Sequence, residues 1–362
     1  MRVLAALLLG GLCACAGASV APEAAPLSAE KTANGSAFSL YVANAEGPPS
    51  GNGAITTYRD GGQRMSGAIL SASNPDQLDF KGGRLYVFNG FVPQYGYYQP
   101  DKLSVYRPHA AKPARTIAMP SADFVDYVTP AAFDSGGDAF VAVTAQSRDA
   151  RRNWATVYEL PSGAAAWSRL FVEQRATAKE LAVAPDGTIF ALDRRPKYAS
   201  IAVYAKGATK PRAAIRNGLD RPNTIAVAPS GALYCANASS ITIYNPPSYA
   251  LAQTIGEGVS FPELLAFDPA GDLYVFNGGS SNVAEYAPGA TAPSRAVSLP
   301  GSAAAMAVGP DAGLYVAFSV TSRFHIDWSG IDVFTPGATS PARTIRAEVY
   351  DPISLTFGPV LR

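Results

Sequence analysis

The chain has 362 residues, 29 Lys and Arg against 28 Asp and Glu, and 48% apolar content. Such a length can bury a sizeable core, and the even charge balance excludes a general nucleic-acid binder, which needs a basic surface or a dense Lys/Arg stripe. With two histidines and three cysteines in all, histidine-rich metal chemistry and a disulfide framework are excluded too.

The N-terminus reads as a targeting segment. Met1-Arg2 is a minimal basic start, and Val3 to Leu12 is an apolar run too short to span a bilayer comfortably. Residues 1–15 are therefore expected to be a signal peptide. Leu12-Cys13-Ala14-Cys15 resembles a bacterial lipobox, which implies lipidation at Cys15 and attachment to the membrane through a lipid anchor only. Ala16 after the cysteine carries no acidic retention signal, which favours an outer-membrane or cell-surface location. Ala16-Gly17-Ala18 offers a competing cleavage site that would release a secreted or periplasmic protein. Both alternatives place the fold outside the cytoplasm. Residues 16–36, rich in Ala, Pro, Ser and Glu, are expected to be a flexible tether.

From residue 37 onward one phrase returns seven times: Leu40-Tyr41-Val42, Leu85-Tyr86-Val87, Phe140-Val141-Ala142, Ile189-Phe190-Ala191, Leu233-Tyr234-Cys235, Leu273-Tyr274-Val275 and Leu314-Tyr315-Val316. The steps between copies run from 40 to 55 residues, the period of a four-stranded propeller blade. A strand such as Leu181-Ala182-Val183 or Ile225-Ala226-Val227 precedes the phrase, joined to it by a Pro/Gly turn. A third strand ends in Tyr58, Tyr106, Tyr158, Tyr204, Tyr244, Tyr286 or Phe334. A fourth carries Arg115, Arg169, Arg295 or Arg343, read as protection of an exposed edge. Cys235 replaces Val in the phrase and is expected in the core. The first strand is missing before Leu40, yet Ser354 to Pro359 has its pattern with nothing after it. The predicted fold is all-β: residues 37–362 form a seven-bladed β-propeller of four-stranded antiparallel blades, its ring closed by the C-terminal strand joining the N-terminal blade.

Phrases such as Leu273-Tyr274-Val275-Phe276-Asn277 and Leu40-Tyr41-Val42-Ala43-Asn44 resemble the NHL and YVTN-type propeller repeats of bacterial surface and periplasmic proteins. The resemblance covers residues from about 37 to 362 and implies the fold, not a function. The Gly-His…Trp-Asp signature of WD repeats is absent. The fold also resembles lactonase-like and virginiamycin-lyase-like propeller enzymes, but no residues carry over to them, and no Ca²⁺ ligand set can be assembled.

Function is sought where loops exceed the needs of the fold. From the middle of the second strand to the end of the third the spacing is 14 to 20 residues in blades seven and one to four, but 10 and 12 in blades five and six. The long loops carry Phe91, Tyr95, Tyr97 and Tyr98 in blade two, and Arg151, Arg152 and Trp154 in blade three. Blade four has Arg194, Arg195 and Tyr198, and blade seven has Phe324, His325 and Trp328. Aromatic and Arg side chains anchor binding surfaces. The expectation is a monomeric binding module for a partner protein or glycan, without cofactor and without catalytic residues. Two alternatives stand beside it: a propeller hydrolase or lyase working at the central channel, and an envelope scaffold. His109 falls on the opposite face from His325, so no His-centred triad forms. His325 with Asp327 is at most half of an acid–base or metal site. The N-terminal reading is checked directly: labelled palmitate should be incorporated by cells expressing the chain, and Cys15→Ser should abolish the label.

Overall fold

The computed structural model describes residues 37–45, 53–69, 72, 74–90, 102–107, 110–120, 125–146, 153–174, 177–195, 197–322 and 325–359, all in strands and turns with no helix among them. They make seven antiparallel sheets, six of four strands and one of five, ordered from the centre outward. The innermost strands of blades two and four to seven are Pro75–Lys81, Glu180–Val183, Thr224–Val227, Pro262–Phe267 and Ser302–Val308. In blade three this position is split between Val125–Val128 and Ala132–Phe133, both paired with Ala139–Gln146. In blade one it is filled from the other end of the chain. Pro352–Pro359 pairs with Phe38–Asn44, setting Leu355 opposite Val42 and Phe357 opposite Leu40, so the C-terminal strand closes the ring.

The repeated phrase works because successive strand residues point to opposite faces. In blade one, Leu40 and Val42 pack against Tyr315, Ile331 and Val333 of blade seven. Tyr41 and Ala43 pack instead against Leu78, Leu85 and Val87 of blade two. The same division runs around the ring. The third-strand aromatic sits opposite the first residue of the phrase: Tyr106 opposite Leu85, Tyr286 opposite Leu273, Phe334 opposite Leu314. Cys235 is fully buried, and desolvation pushes its thiol well above the ordinary range, as a core residue requires.

Blade three departs from the expected register. Ala139, not Phe140, takes the first position: it pairs with Leu160 and packs toward blade two, while Phe140 packs toward blade four. The phrase is therefore Ala139-Phe140-Val141, and the third-strand position belongs to Leu160 rather than Tyr158. Leu160 is buried, whereas Tyr158 is only partly so. A shift of one residue exchanges the two faces, and only this register puts the Phe140 ring where the other blades place theirs.

Polar staples tie neighbouring blades together at both ends. Where strands start from the channel's upper end, Tyr58, Tyr244 and Tyr286 donate to the carbonyls of Ala347, Asn217 and Glu257 at 2.6, 2.7 and 2.7 Å. Each carbonyl lies in the linker arriving from the previous blade. Gly258, at φ +73°, leaves room for the Tyr286 hydroxyl that a Cβ would strike. At the lower end three of the four outer-strand arginines read as edge protection reach across to the next blade. Arg115 donates to Gly163 and Ala164, Arg295 to Thr335 and Ala338, and Arg343 to Gly61, each in the next blade's outer turn. Gln253 does the same to Gly289 and Ala290. The five donors of a guanidinium suit carbonyls clustered in a turn. Tyr286→Phe should lower unfolding free energy by about 1 kcal/mol and Leu355→Ala by about 2–4 kcal/mol. Urea denaturation would measure both, and equal losses would contradict the dominance of the closing strand's apolar contact.

Candidate functional site on the upper face

Chain direction defines two faces. Each innermost strand runs downward, so the linkers between blades and the loops between second and third strands share the upper face. Part of the extra loop length found in the sequence is strand. In blade seven, Leu314–Ser322 and His325–Phe334 pair out to Ser322 opposite His325. Trp328 lies in that extension, edge-on to Phe318 at 5.0 Å, with the Arg346 guanidinium 3.9 Å from its ring centroid. His325 is exposed, and Asp327 accepts from the Ser322 hydroxyl at 2.8 Å. In blade three, Trp154 belongs to the third strand, opposite Ala145. Phe91, Tyr95, Tyr97, Tyr98, Arg151, Arg152 and Phe324 lie outside the described residues, as do Cys15 and His109.

The Asn that closes the repeated phrase organises the linkers. Asn237 accepts from the backbone N–H of Asp220 at 3.0 Å, Asn277 from Ser260 at 2.9 Å, and Asn44 from Tyr350 at 2.9 Å. Blade four has Asp193 at this position. Its buried carboxylate is held by the side chain of Arg195, with Nε at 3.0 and 2.9 Å from the two oxygens, and by Thr177 at 3.0 Å. Arg195 thus neutralises a charge where other blades carry an amide. Arg194 turns toward blade five, donating to the carbonyl of Asn223 at 2.9 Å and to its side-chain oxygen at 3.0 Å. Tyr198, 57% exposed, lies beside Arg195 and Lys197.

The linkers themselves hold the group that sequence reasoning missed. Four of them enter the innermost strand through a residue followed by proline: Asn74, Arg221, Phe261 and Asp351, all at φ +47°. Asn and Asp visit this left-handed region at little cost, whereas Arg and Phe do not. Yet Phe261 is 59% exposed, and Arg221 is exposed as well. Together with Asn223, Asn237, Ala238, Pro262 and Glu263 they line a hollow of about 310 Å³ between blades five and six. The Glu263 carboxylate lies directly against Gly278, where a Cβ would collide with it. Asn223 donates to the carbonyl of Pro262 at 3.1 Å, fixing the floor of the hollow. The short hairpins of these two blades leave it uncovered.

From the hollow a polar band continues across the upper mouth of the channel. Glu180 accepts from Thr224 Oγ1 at 2.7 Å and from the Ile225 N–H at 3.2 Å. Desolvation pushes its carboxyl up to about 7, against the opposing pull of those bonds and of Arg194. Asp76 in blade two, the extra residue of a β-bulge between Pro75 and Gln77, is raised to about 6 by the same cause. Tyr127 stands between them. Its hydroxyl is raised mainly by desolvation, with Arg194 opposing and Glu180 and Asp76 adding to the rise, and Lys179 Nζ lies 4.5 Å above its ring. Carboxyls tuned toward neutrality around a cleft mark functional sites. Among the described residues no three of His, Cys, Asp and Glu come together as a metal site would need.

No family model matches the chain, and no curated protein matches it. Its architecture does recur. The crystal structure of a functionally unknown protein from Desulfotomaculum acetoxidans DSM 771 aligns at a TM-score of 0.65 and 14% identity, covering 89% of this chain and 98% of that one. The class is thereby defined as a seven-bladed β-propeller, and the likeness to NHL and YVTN-type repeats holds at the level of fold.

Glu180 yields a pH prediction. Its native pKa lies above the ordinary 4.5, so the folded state holds the proton more tightly between about pH 4.5 and 7. Its contribution to stability is complete below that window and is lost as pH rises through it. In Glu180→Gln the amide can donate to Thr224 and accept from Ile225. From pH 5 to pH 8 the variant should gain about 2 kcal/mol relative to the parent, once partial exposure to the channel is allowed for. Parallel unfolding curves at the two pH values decide it.

Proposed function

We propose that this propeller is a glycan-binding module whose ligand seats in the hollow between blades five and six and extends over the upper mouth of the channel. One observation carries the reading: Phe261 and Arg221 are exposed in a backbone conformation that Asn or Asp would adopt more cheaply. The fold gains nothing from a solvent-exposed Phe there, so the ring is kept for what it contacts. Pyranose rings present an apolar C–H face to an aromatic surface and hydroxyl pairs to planar polar groups. Phe261 supplies the first, while Glu263, Asn223 and Arg221 supply the second. Tyr198 and the His325 extension stand on the same face and would widen the surface for a longer chain.

The N-terminal reading supports an extracytoplasmic setting with attachment through Cys15, in which the upper face would meet envelope or extracellular polysaccharide. The raised carboxyls of Asp76 and Glu180 favour a second reading, acid–base chemistry on the bound glycan, as a hydrolase or lyase requires.

An oligosaccharide array followed by calorimetry tests the proposal. At least one oligosaccharide should bind saturably, and Phe261→Ala should weaken it tenfold or more. Phe261→Asn should lose binding in the same way yet raise unfolding free energy by about 0.5–1 kcal/mol, because it relieves the left-handed conformation. Loss of stability in Phe261→Asn, or silence across the array, would overturn the reading. Incubation with any bound oligosaccharide separates the two versions: cleavage products absent in Glu180→Gln would make the protein an enzyme.

A further inference from the structure

The polar groups around the hollow between blades five and six differ in what each has left to offer a ligand. Its rim is fixed: the blade-six hairpin is clasped to its own linker, Gly278 N–H donating to the Phe261 carbonyl at 2.9 Å and Gly279 N–H to that of Ser260 at 3.2 Å. Asn237 is fully buried, and its amide is spent on Asp220, Gly218 and Thr242. Asn223 commits one hydrogen to the Pro262 carbonyl and one lone pair to Arg194. Arg221 has its own counter-charge: Asp220 lies 3.8 Å from its guanidinium, and both side chains are 68% exposed. Glu263 has none of this. It is exposed, and among the described residues its carboxylate has neither a hydrogen bond nor an ion pair. Its position is nevertheless set. Gly278 is not in the left-handed region, so no turn requires a glycine there. What a side chain at 278 would strike is the Glu263 carboxylate.

The hollow thus presents one unmatched charge, a carboxylate beside the exposed Phe261 ring. We propose that the sugar seated there is an amino sugar whose free ammonium group donates to Glu263. The assignment rests on the glycan reading above and adds to it the class of ligand. An ammonium group brings three donors to an acceptor-only carboxylate, and the face of Phe261 attracts the same cation. A neutral sugar leaves the charge of Glu263 unmatched. A uronic acid sets a second carboxylate beside the first, which is repulsive. N-acetylation removes the ligand's charge and two of its three donors. Arg221, balanced by Asp220, serves the hydroxyls of the ligand.

Calorimetry of the full chain with β-1,4-linked tetramers of glucose, glucosamine, N-acetylglucosamine and glucuronate tests the assignment. The glucosamine tetramer should bind saturably and about fivefold more tightly than any of the others, a margin suited to a charge-assisted bond at an exposed site. Salt should narrow that margin. Glu263→Gln, on an exposed side chain, should erase it by weakening the glucosamine tetramer alone. Gly278→Ala should do the same by displacing the carboxylate while Glu263 is kept, its thermal midpoint showing that the fold is intact. Phe261→Ala should weaken every tetramer that binds. If the glucose, N-acetylglucosamine or glucuronate tetramer binds as tightly and loses affinity in Phe261→Ala, the amino-sugar assignment is overturned and the glycan reading stands. A preference for glucosamine that survives Glu263→Gln overturns the assignment as well. Silence from the glucosamine tetramer does so too, and the oligosaccharide array then decides the glycan reading alone.

Discussion

Each blade must bury both of its faces, and only a closed ring provides a partner for all of them. Everything else in the structure follows from that. The alternation of Leu40 and Tyr41 toward blades seven and two is repeated wherever the phrase recurs, because each sheet is packed on both sides. Closure demands that the strand Pro352–Pro359 come back to Phe38–Asn44. Apolar contact sets the spacing of the blades, and polar staples set their angular positions: tyrosine hydroxyls above, Arg115, Arg295, Arg343 and Gln253 below. With interfaces committed in this way, only the two ends of the channel and the rims around them are free to vary.

What could be read in the sequence was what repeats. The closing strand was legible because Leu355-Thr356-Phe357 has a first-strand pattern and no strand to follow it. Blade three was misread because its aromatic residues, Phe140 and Tyr158, invite alignment with the aromatics of other blades. The buried residue at the end of its third strand is Leu160, which carries no such mark. The arginine staples were invisible for a different reason. Arg115 and Gly163 are 48 residues apart, and nothing in a strand's own pattern says that its polar side chain reaches the next blade.

The candidate site was hidden by where loop length directs attention. Loop length points to blades seven and one to four, while the hollow lies where hairpins are short. A signal was nevertheless present. Asn74, Arg221, Phe261 and Asp351 all precede a proline at the head of an innermost strand. Two of the four are residues suited to a left-handed backbone and two are not. That contrast becomes physical only when the shared φ of +47° is known, since the sequence alone does not distinguish a strained Phe from an ordinary one.

The same comparison across blades bears on Glu180. The pairings of Leu78 with Val87 and of Leu181 with Ala191 place Gln77 and Glu180 at equivalent levels of their strands. Gln77 bridges to blade three through both atoms of its amide, donating to the Ala131 carbonyl at 2.9 Å and accepting from its N–H at 2.7 Å. Glu180 makes the corresponding bridge to blade five with two acceptor oxygens. A neutral amide therefore suffices for the mechanical task. Glu180 performs it while carrying a carboxyl raised to about 7, close to Arg194 and Tyr127. Burying an ionisable group where an amide would serve costs stability. A cost taken at the upper mouth, a short distance from an exposed and strained Phe261, is of the kind that function imposes on a fold.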